Sequence, residues 1–365
     1  MAGLKVSFYG SSLVSAYWNG AATYYRGIIR ALAARGHEVT FFEPDAWDRQ
    51  KHRDIADPDW ARVVVYANDE ASARRALEQG RDADVIVKAS GVGVFDSLLE
   101  AGVLEIRRPE TTVIFWDVDA PATLASMRDD PRDTLRPLIK EFDYVLTYGG
   151  GNPVIDAYKA IGARDCIPIY NALDPETHHP VASETRFEAD LSFMANRLPD
   201  REARVEQFFL DAAARLPQRR FLLGGSGWGD KPMPSNVDYI GHVYTADHNA
   251  VNCSALAVLN VARDSMAAVG FSPATRVFEA AGAGACVITD AWEGVEQFLE
   301  PDSEILVAKD GAEVAALVDA LTPERSRRIG DAARRRMLDA HTYGHRAAEV
   351  ESLLLSGTPA SKVFA

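Results

Sequence analysis

The chain is built on short, nearly continuous apolar runs, each leading into a turn and then a helical pattern. LKVSFY (4–9), DVIVKAS (84–90), TTVIFWD (111–117), DYVLTY (143–148) and DCIPIY (165–170) are such runs. A strand without polar alternation needs cover on both faces, and a parallel sheet with crossover helices supplies it. The stretch from LKVSFY through Gly10-Ser11-Ser12, a helix over about 19–35 closed by Gly36, and HEVTFFE (37–43) is one strand–helix–strand unit.

The rhythm stops at 171–188, NALDPETHHPVASETRFE, which reads as a linker. It restarts with ADLSFMA (189–195), a helix over 200–216, RRFLLGG (219–225), VDYIG (237–241), a helix near His248 and ALAVLNV (255–261). FSPATRVFEAAGAGACVITD (271–290), a helix after Glu293 and EILVA (304–308) follow. Two paired helices and an amphipathic run over 345–355 end the chain. The expected fold is α/β, with two Rossmann-like, doubly wound parallel-sheet domains at 1–170 and 189–340. The segment 341–365 is expected to pack back toward the first domain. In open α/β sheets ligands bind beyond the carboxyl ends of strands. Site residues are therefore sought just after strands, along a cleft between the two halves.

With 365 residues and 47% apolar content, two cores can be buried. The net charge of −14 argues against nucleic acid or an anionic membrane as the main partner. Cys166, Cys253 and Cys286 have no metal or redox spacing and read as buried thiols in a reducing compartment. The N-terminus does not read as a signal peptide, and no apolar run reaches the roughly 20 residues of a membrane span. A cytoplasmic protein is expected.

In 271–290, Ser272 suits an N-cap and Pro273 the first helical position. The free N–H groups at Ala274, Thr275 and Arg276 would then form an anion site. Arg276 can present a fork to a phosphate, and Glu279, one turn on, can accept from both hydroxyls of a ribose. The other reading is an Arg276–Glu279 ion pair on a solvated face.

The C-terminal half resembles the nucleotide-sugar domain of GT-B glycosyltransferases of family four (glycosyltransferase group one), closest to spore-maturation CgeB-type proteins. VDYIGHV (237–243), ALAVLNV and FEAAGAGACVITD (278–290) follow the family's order of glycine strand, helix, strand, Glu-helix and strand. NALDPETHHP matches the spacing of its Asn-Gly-Val-Asp…Pro signature at Asn171, Asp174 and Pro180. LSFMANRLPDRE (191–202), LGGSGW (223–228) and HTYGHR (341–346) extend the likeness over nearly the whole chain, weakly at the N-terminus. The resemblance implies transfer of a sugar from a nucleotide-diphosphate sugar, UDP being the expected nucleotide, with retention and without a metal or other cofactor. It places Arg197, Arg201, Gly225, Ser226, His242, Val243, Arg263, Ser272, Thr275, Arg276 and Glu279 around the nucleotide and diphosphate. Ser11, Ser12, Asn19, Gly20 and Phe271 would face acceptor or sugar.

Two positions depart from the pattern. The family's first glutamate would fall on Phe271, and its histidine after the strand 111–117 falls on Asp117, with Asp119 two residues further. An aspartate there can accept the acceptor's proton. Asp117 and Asp119 also resemble the Asp-x-Asp metal motif of GT-A enzymes, and Asp119-Ala120-Pro121 reads equally as a helix start. Trp228 and His242 are candidates beside base or sugar. His178 and His179 read as loop residues rather than a zinc site, and His341 and His345 as helix-junction residues. The chain has no G-x-G-x-x-G, which disfavours a nicotinamide enzyme. The acceptor (glycan, protein or small molecule) is open, and so is a homodimer. The alternatives are a sugar-nucleotide epimerase on the same scaffold and a non-catalytic nucleotide- or glycan-binding protein.

Overall fold

In a computed structural model that describes residues 3–17 and 19–356, the strands form two parallel sheets. One unit runs to Asn171 and takes in the chain from Tyr343 on; the other is Ala172–Thr342. The part of the 341–365 segment beyond 356 lies outside the described residues.

The first unit contains β1 (Lys5–Tyr9), α1 (Ala22–Ala34), β2 (Glu38–Pro44), β3 (Arg62–Tyr66), α2 (Glu70–Gly80), β4 (Val85–Ala89) and α3 (Asp96–Glu105). It continues with β5 (Thr112–Asp117), α4 (Ala120–Asp129), β6 (Tyr144–Thr147), α5 (Gly151–Ala160) and β7 (Cys166–Pro168). The seven strands lie in the order β3-β2-β1-β4-β5-β6-β7, so the winding reverses between β1 and β4. Register puts Phe8 beside Phe41 and Tyr9 beside Phe42. Both pairs stack, at 5.3 and 4.7 Å between centroids. Burying each such ring stabilises the sheet by roughly 1.5–3 kcal/mol.

The second unit contains β8 (Ala189–Met194), α6 (Pro199–Val205), a π turn (Glu206–Leu210), α7 (Asp211–Arg215), β9 (Phe221–Gly224), β10 (Val237–Gly241) and α8 (Thr245–Ser254). β11 (Ala255–Asn260), α9 (Asp264–Val269), α10 (Thr275–Gly282), β12 (Val287–Asp290), β13 (Leu306–Ala308), α11 (Gly311–Ala320) and α12 (Pro323–Ala340) complete it. Its sheet order is β10-β9-β8-β11-β12-β13, with the reversal between β8 and β11. Successive side chains serve opposite faces. Leu191, Phe193, Phe221 and Leu223 enter one core with Phe209 and Ile288. Met194 and Leu222 meet Phe187 and Val251 on the other side.

Three of the strands and α-helices have no counterpart among the sequence-based assignments: β3 and α2, between the strands ending at 44 and starting at 85, and α9, after β11. β3 is an edge strand with one buried residue, and α2 is capped by Asp69, whose side chain accepts from Ser72 N. The helix expected after Glu293 is a single 3₁₀ turn, Val295–Gln297. Segment 171–188 is laid onto the second unit: Leu173 N donates to His341 O, and Glu184 N to Ser254 Oγ. The last helix, α13 (Tyr343–Ser356), belongs to the first unit, where Glu351 pairs with Arg35 and lies 3.2 Å from His37 Nε2. Among the described residues no helix is long and apolar enough to cross a membrane.

Candidate functional site

In the second unit the winding reverses between β8 and β11, and the chain leaving β11 carries α9 and then α10. A crevice at the carboxyl ends of such strands is where an open α/β sheet receives a ligand. The helix start differs from expectation. α10 begins at Thr275 with Ala274 as N-cap and no side-chain cap. Pro273 holds the residue before it in the extended region, and the chain remains extended at Ala274 (ψ 150). Before that, Phe271 is left-handed (φ 47), and its N–H is fixed at 2.6 Å on Glu293 O. Ser272 therefore does not cap; its hydroxyl is buried and makes no hydrogen bond. The first turn closes on Ala274 O through Val277 N at 3.0 Å, which leaves the N–H groups of Thr275 and Arg276 at the positive end of the helix.

Arg276 Nη1 stands 3.1 Å from Glu279 Oε2. The pair forms, but on an enclosed face, with Glu279 7% exposed. The contact is off line for hydrogen bonding, so Arg276 Nε and Nη1 are buried without a hydrogen-bond acceptor. Glu279 Oε1 lies 3.7 Å from His178 Nε2. His248 completes the group; one ligand atom from each of His178, His248 and Glu279 lies within 4.8 Å of the others. Burial works to raise the Glu279 carboxyl, but Arg276, His178 and His248 together hold it below the usual carboxylate range. His248 is pushed down to about 4, by burial first and by Arg276 second.

His178 was expected to be a loop residue. Its delivery to Glu279 comes from a turn built by Asp174, whose carboxylate accepts from Glu176 N at 3.1 Å and Thr177 Oγ at 2.8 Å. His178 N then closes on Asp174 O at 2.9 Å. Neither His178 nor His248 carried a local signal, because they come from separate segments. His179 stays exposed.

Of the other predicted basic residues, Arg197 and Arg263 are engaged by neighbouring carboxylates. Arg197 makes a two-pronged contact with Glu202 at 2.8 and 2.7 Å and reaches Asp230 Oδ1 at 2.8 Å. With Arg197 N donating to Ser226 O, the residue braces the glycine loop after β9. Gly225 (φ 126) is required in that loop, since a Cβ would sit 2.0 Å from Ala195 O. Arg263 Nε donates to Asp200 Oδ2 at 2.5 Å. Arg201 is half-buried in the first turn of α6. Trp228 is a core residue whose Nε1 donates to Ala195 O at 2.8 Å, which removes it from the candidates beside a base. Ser226 and His242 are exposed, and Val243 is half-buried.

In the first unit the candidates are mostly enclosed. Ser11 Oγ donates to Asn19 Oδ1, and Asn19 Nδ2 donates to Ser12 O and Ser15 O. Ser12 Oγ donates to Glu43 Oε1 at 3.0 Å. These side chains shape the loop after β1, and Gly20 is exposed beside them. Asp117 has no exposed surface. Ser90 Oγ (2.7 Å), Thr123 Oγ (2.9 Å) and Asp119 N (3.0 Å) donate to its Oδ1, and Tyr158 OH (2.5 Å) to its Oδ2. Burial raises its carboxyl above the ordinary range. Asp117, the catalytic candidate at the end of this strand, is a buried tie between strand end and helix. Asp119 is half-buried at the N-cap of α4, without a side-chain cap.

Over its length the chain superposes on solved glycosyltransferases. HepE from Anabaena, in complex with UDP and glucose, matches at TM-score 0.70 and 13% identity, covering 97% of this chain and 100% of that one. Sucrose-phosphate synthase from Thermosynechococcus elongatus matches at TM-score 0.69 and 15% identity, covering 96% and 98%. AviGT4, a glycosyltransferase involved in avilamycin A biosynthesis, matches at TM-score 0.64 and 20% identity, covering 97% and 99%. The chain has the GT-B fold.

The two Rossmann-like sheets of seven and six strands are the two halves of that GT-B architecture. Residues 201–352 also match the family described as Glycosyl transferase-like, and the matched stretch contains α10, Arg276 and Glu279. No curated protein matches the chain. At these identities the solved structures speak to the GT-B fold alone.

Proposed function

We propose that the protein is a glycosyltransferase, of the hexosyl-transferring or a related class, that moves a sugar from a nucleotide-diphosphate sugar, by preference a UDP-sugar, to an acceptor. One observation carries the reading: Ser272, Arg276, His178 and His248, on or around α10, each hold a buried polar atom with no hydrogen bond. A buried donor left unmade costs about 1–3 kcal/mol. A cluster of them supports a polar ligand that completes the set.

In this reading Glu279 accepts from the two ribose hydroxyls. Arg276 and the N–H groups of Thr275 and Arg276 hold the diphosphate and stabilise it as it leaves, which needs no metal. Arg201 joins them from the first turn of α6; Arg197, Gly225 and Ser226 shape the neighbouring loop. Phe271 borders the transferred sugar. The acceptor meets the first unit near Gly20 and Asp119, with Ser11, Ser12 and Asn19 fixing that loop. The likeness of the segments quoted above to family four supports a CgeB-type relative and retention of configuration, and the three cysteines without metal or redox spacing support a cytoplasmic location.

The test is release of UDP from UDP-glucose and other UDP-sugars, alone and with a panel of glycan, peptide and small-molecule acceptors. Acceptor-dependent UDP release supports transfer. Conversion of the donor to its epimer without UDP release, or UDP binding with no turnover across the panel, contradicts it.

A further inference from the structure

Around Glu279 lies a second chemistry. Two imidazoles and one carboxylate oxygen converge here, from a turn (His178), α8 (His248) and α10 (Glu279), with their ligand atoms within 4.8 Å of one another. The rings face each other at 6.3 Å and 26°. His178 is 3% exposed, and its Nε2 and the Nδ1 of His248 are buried with no hydrogen bond. The two histidine segments are tied together, because Asn249 Nδ2, next to His248, donates to the carbonyl of Thr177, next to His178, at 2.9 Å. Glu279 divides its oxygens. Oε2 faces Arg276 and Oε1 faces His178.

We propose that His178, His248 and Glu279 bind a divalent transition-metal ion of the zinc class. Two imidazole nitrogens and a carboxylate oxygen, with a fourth position open to water, are a donor set that zinc takes. Bonds of about 2.0–2.1 Å to a tetrahedral ion place ligand atoms roughly 3.3 Å apart, so the three side chains close in by rotation when the ion enters. Arg276 orients the carboxylate through Oε2 while Oε1 ligates, as outer groups do at metal sites. Its positive charge opposes the ion, so affinity falls below that of a structural zinc site. The ion occupies the oxygen that a ribose would use. Metal and nucleotide therefore compete, and the ion acts as an inhibitor rather than as a partner in transfer.

The site shares Glu279 with the function proposed above, and the two are separable. Zinc binding is read without nucleotide, and UDP binding is read in chelator. Calorimetric titration of the tag-free, chelator-stripped full chain with zinc chloride is expected to give one ion per chain. His248→Ala and His178→Ala each weaken it at least tenfold, whereas His179→Ala, on the exposed neighbour, leaves it unchanged. Uridine, which carries the ribose diol without a zinc-chelating diphosphate, raises the apparent zinc Kd. Circular dichroism checks that the variants fold. Should either variant unfold, anomalous scattering at the zinc edge from zinc-soaked wild-type crystals decides. A peak among the three side chains supports the proposal. No peak there, a stoichiometry below one, or folded variants that bind zinc like wild type overturns it.

Discussion

The Arg276 guanidinium stands 3.1 Å from the Glu279 carboxylate, one turn along α10, and both side chains are largely withdrawn from water. An enclosed carboxylate keeps its charge only while a cation faces it. Arg276→Met is therefore expected to cost about 2–4 kcal/mol at pH 7. The pH dependence has a definite sign. Glu279 is held below its unfolded value, so its contribution is present above the ordinary carboxylate range and is lost as pH falls through the folded value. Denaturant unfolding of wild type and variant at several pH values should show a gap that is widest near neutrality and closes on acidification.

Asp117 is expected to position rather than to catalyse. Asp117→Asn should lower kcat by less than about tenfold, against the roughly 10²–10⁴ expected for a general base. Asp117→Ala should cost about 3 kcal/mol or more in stability, because four donors lose their acceptor. Steady-state kinetics with chemical denaturation of both variants separates the two roles.

Gly294 sets the approach to α10. It has φ 89, and a Cβ there would come within 2.2 Å of the Phe271 ring. Gly294→Ala is expected to destabilise by about 1–3 kcal/mol and to weaken UDP binding by shifting the lead-in. Adding Phe271→Ala removes the clash, so the double variant should recover part of the lost stability, read as a coupling in a double-mutant cycle.

Arg197 tests the division between braces and ligand contacts. Its guanidinium is engaged by Glu202 and Asp230. Arg197→Met should change the UDP Kd by less than about threefold, where Arg276→Met changes it at least about tenfold. Equal losses in the two variants, measured by calorimetry, would return Arg197 to the diphosphate.

Strands such as TVIFWD and ALAVLN could be read from the sequence because burial on both faces leaves no polar alternation. β3 escaped because an edge strand buries little, and α2 because its surface is mostly polar. Ser272-Pro273 is a sound local helix start, but the left-handed Phe271 and extended Ala274 delay the helix to Thr275. Glu279 was legible from its spacing to Arg276. His178 and His248 were not, since 70 positions separate them and only the Asp174 turn and α8 bring them together. Arg197 illustrates the same limit: a charge is visible in sequence, but its partners, Glu202 and Asp230, are settled by folding.

The most direct measurement is calorimetric titration of UDP, in chelator, into wild type and Glu279→Ala. Charge-assisted hydrogen bonds contribute about 1.5–3 kcal/mol each. Wild type should therefore bind UDP, and the variant should bind it at least about tenfold more weakly while remaining folded. Wild type that binds no nucleoside diphosphate, or a folded Glu279→Ala that binds UDP as tightly as wild type, would contradict the account.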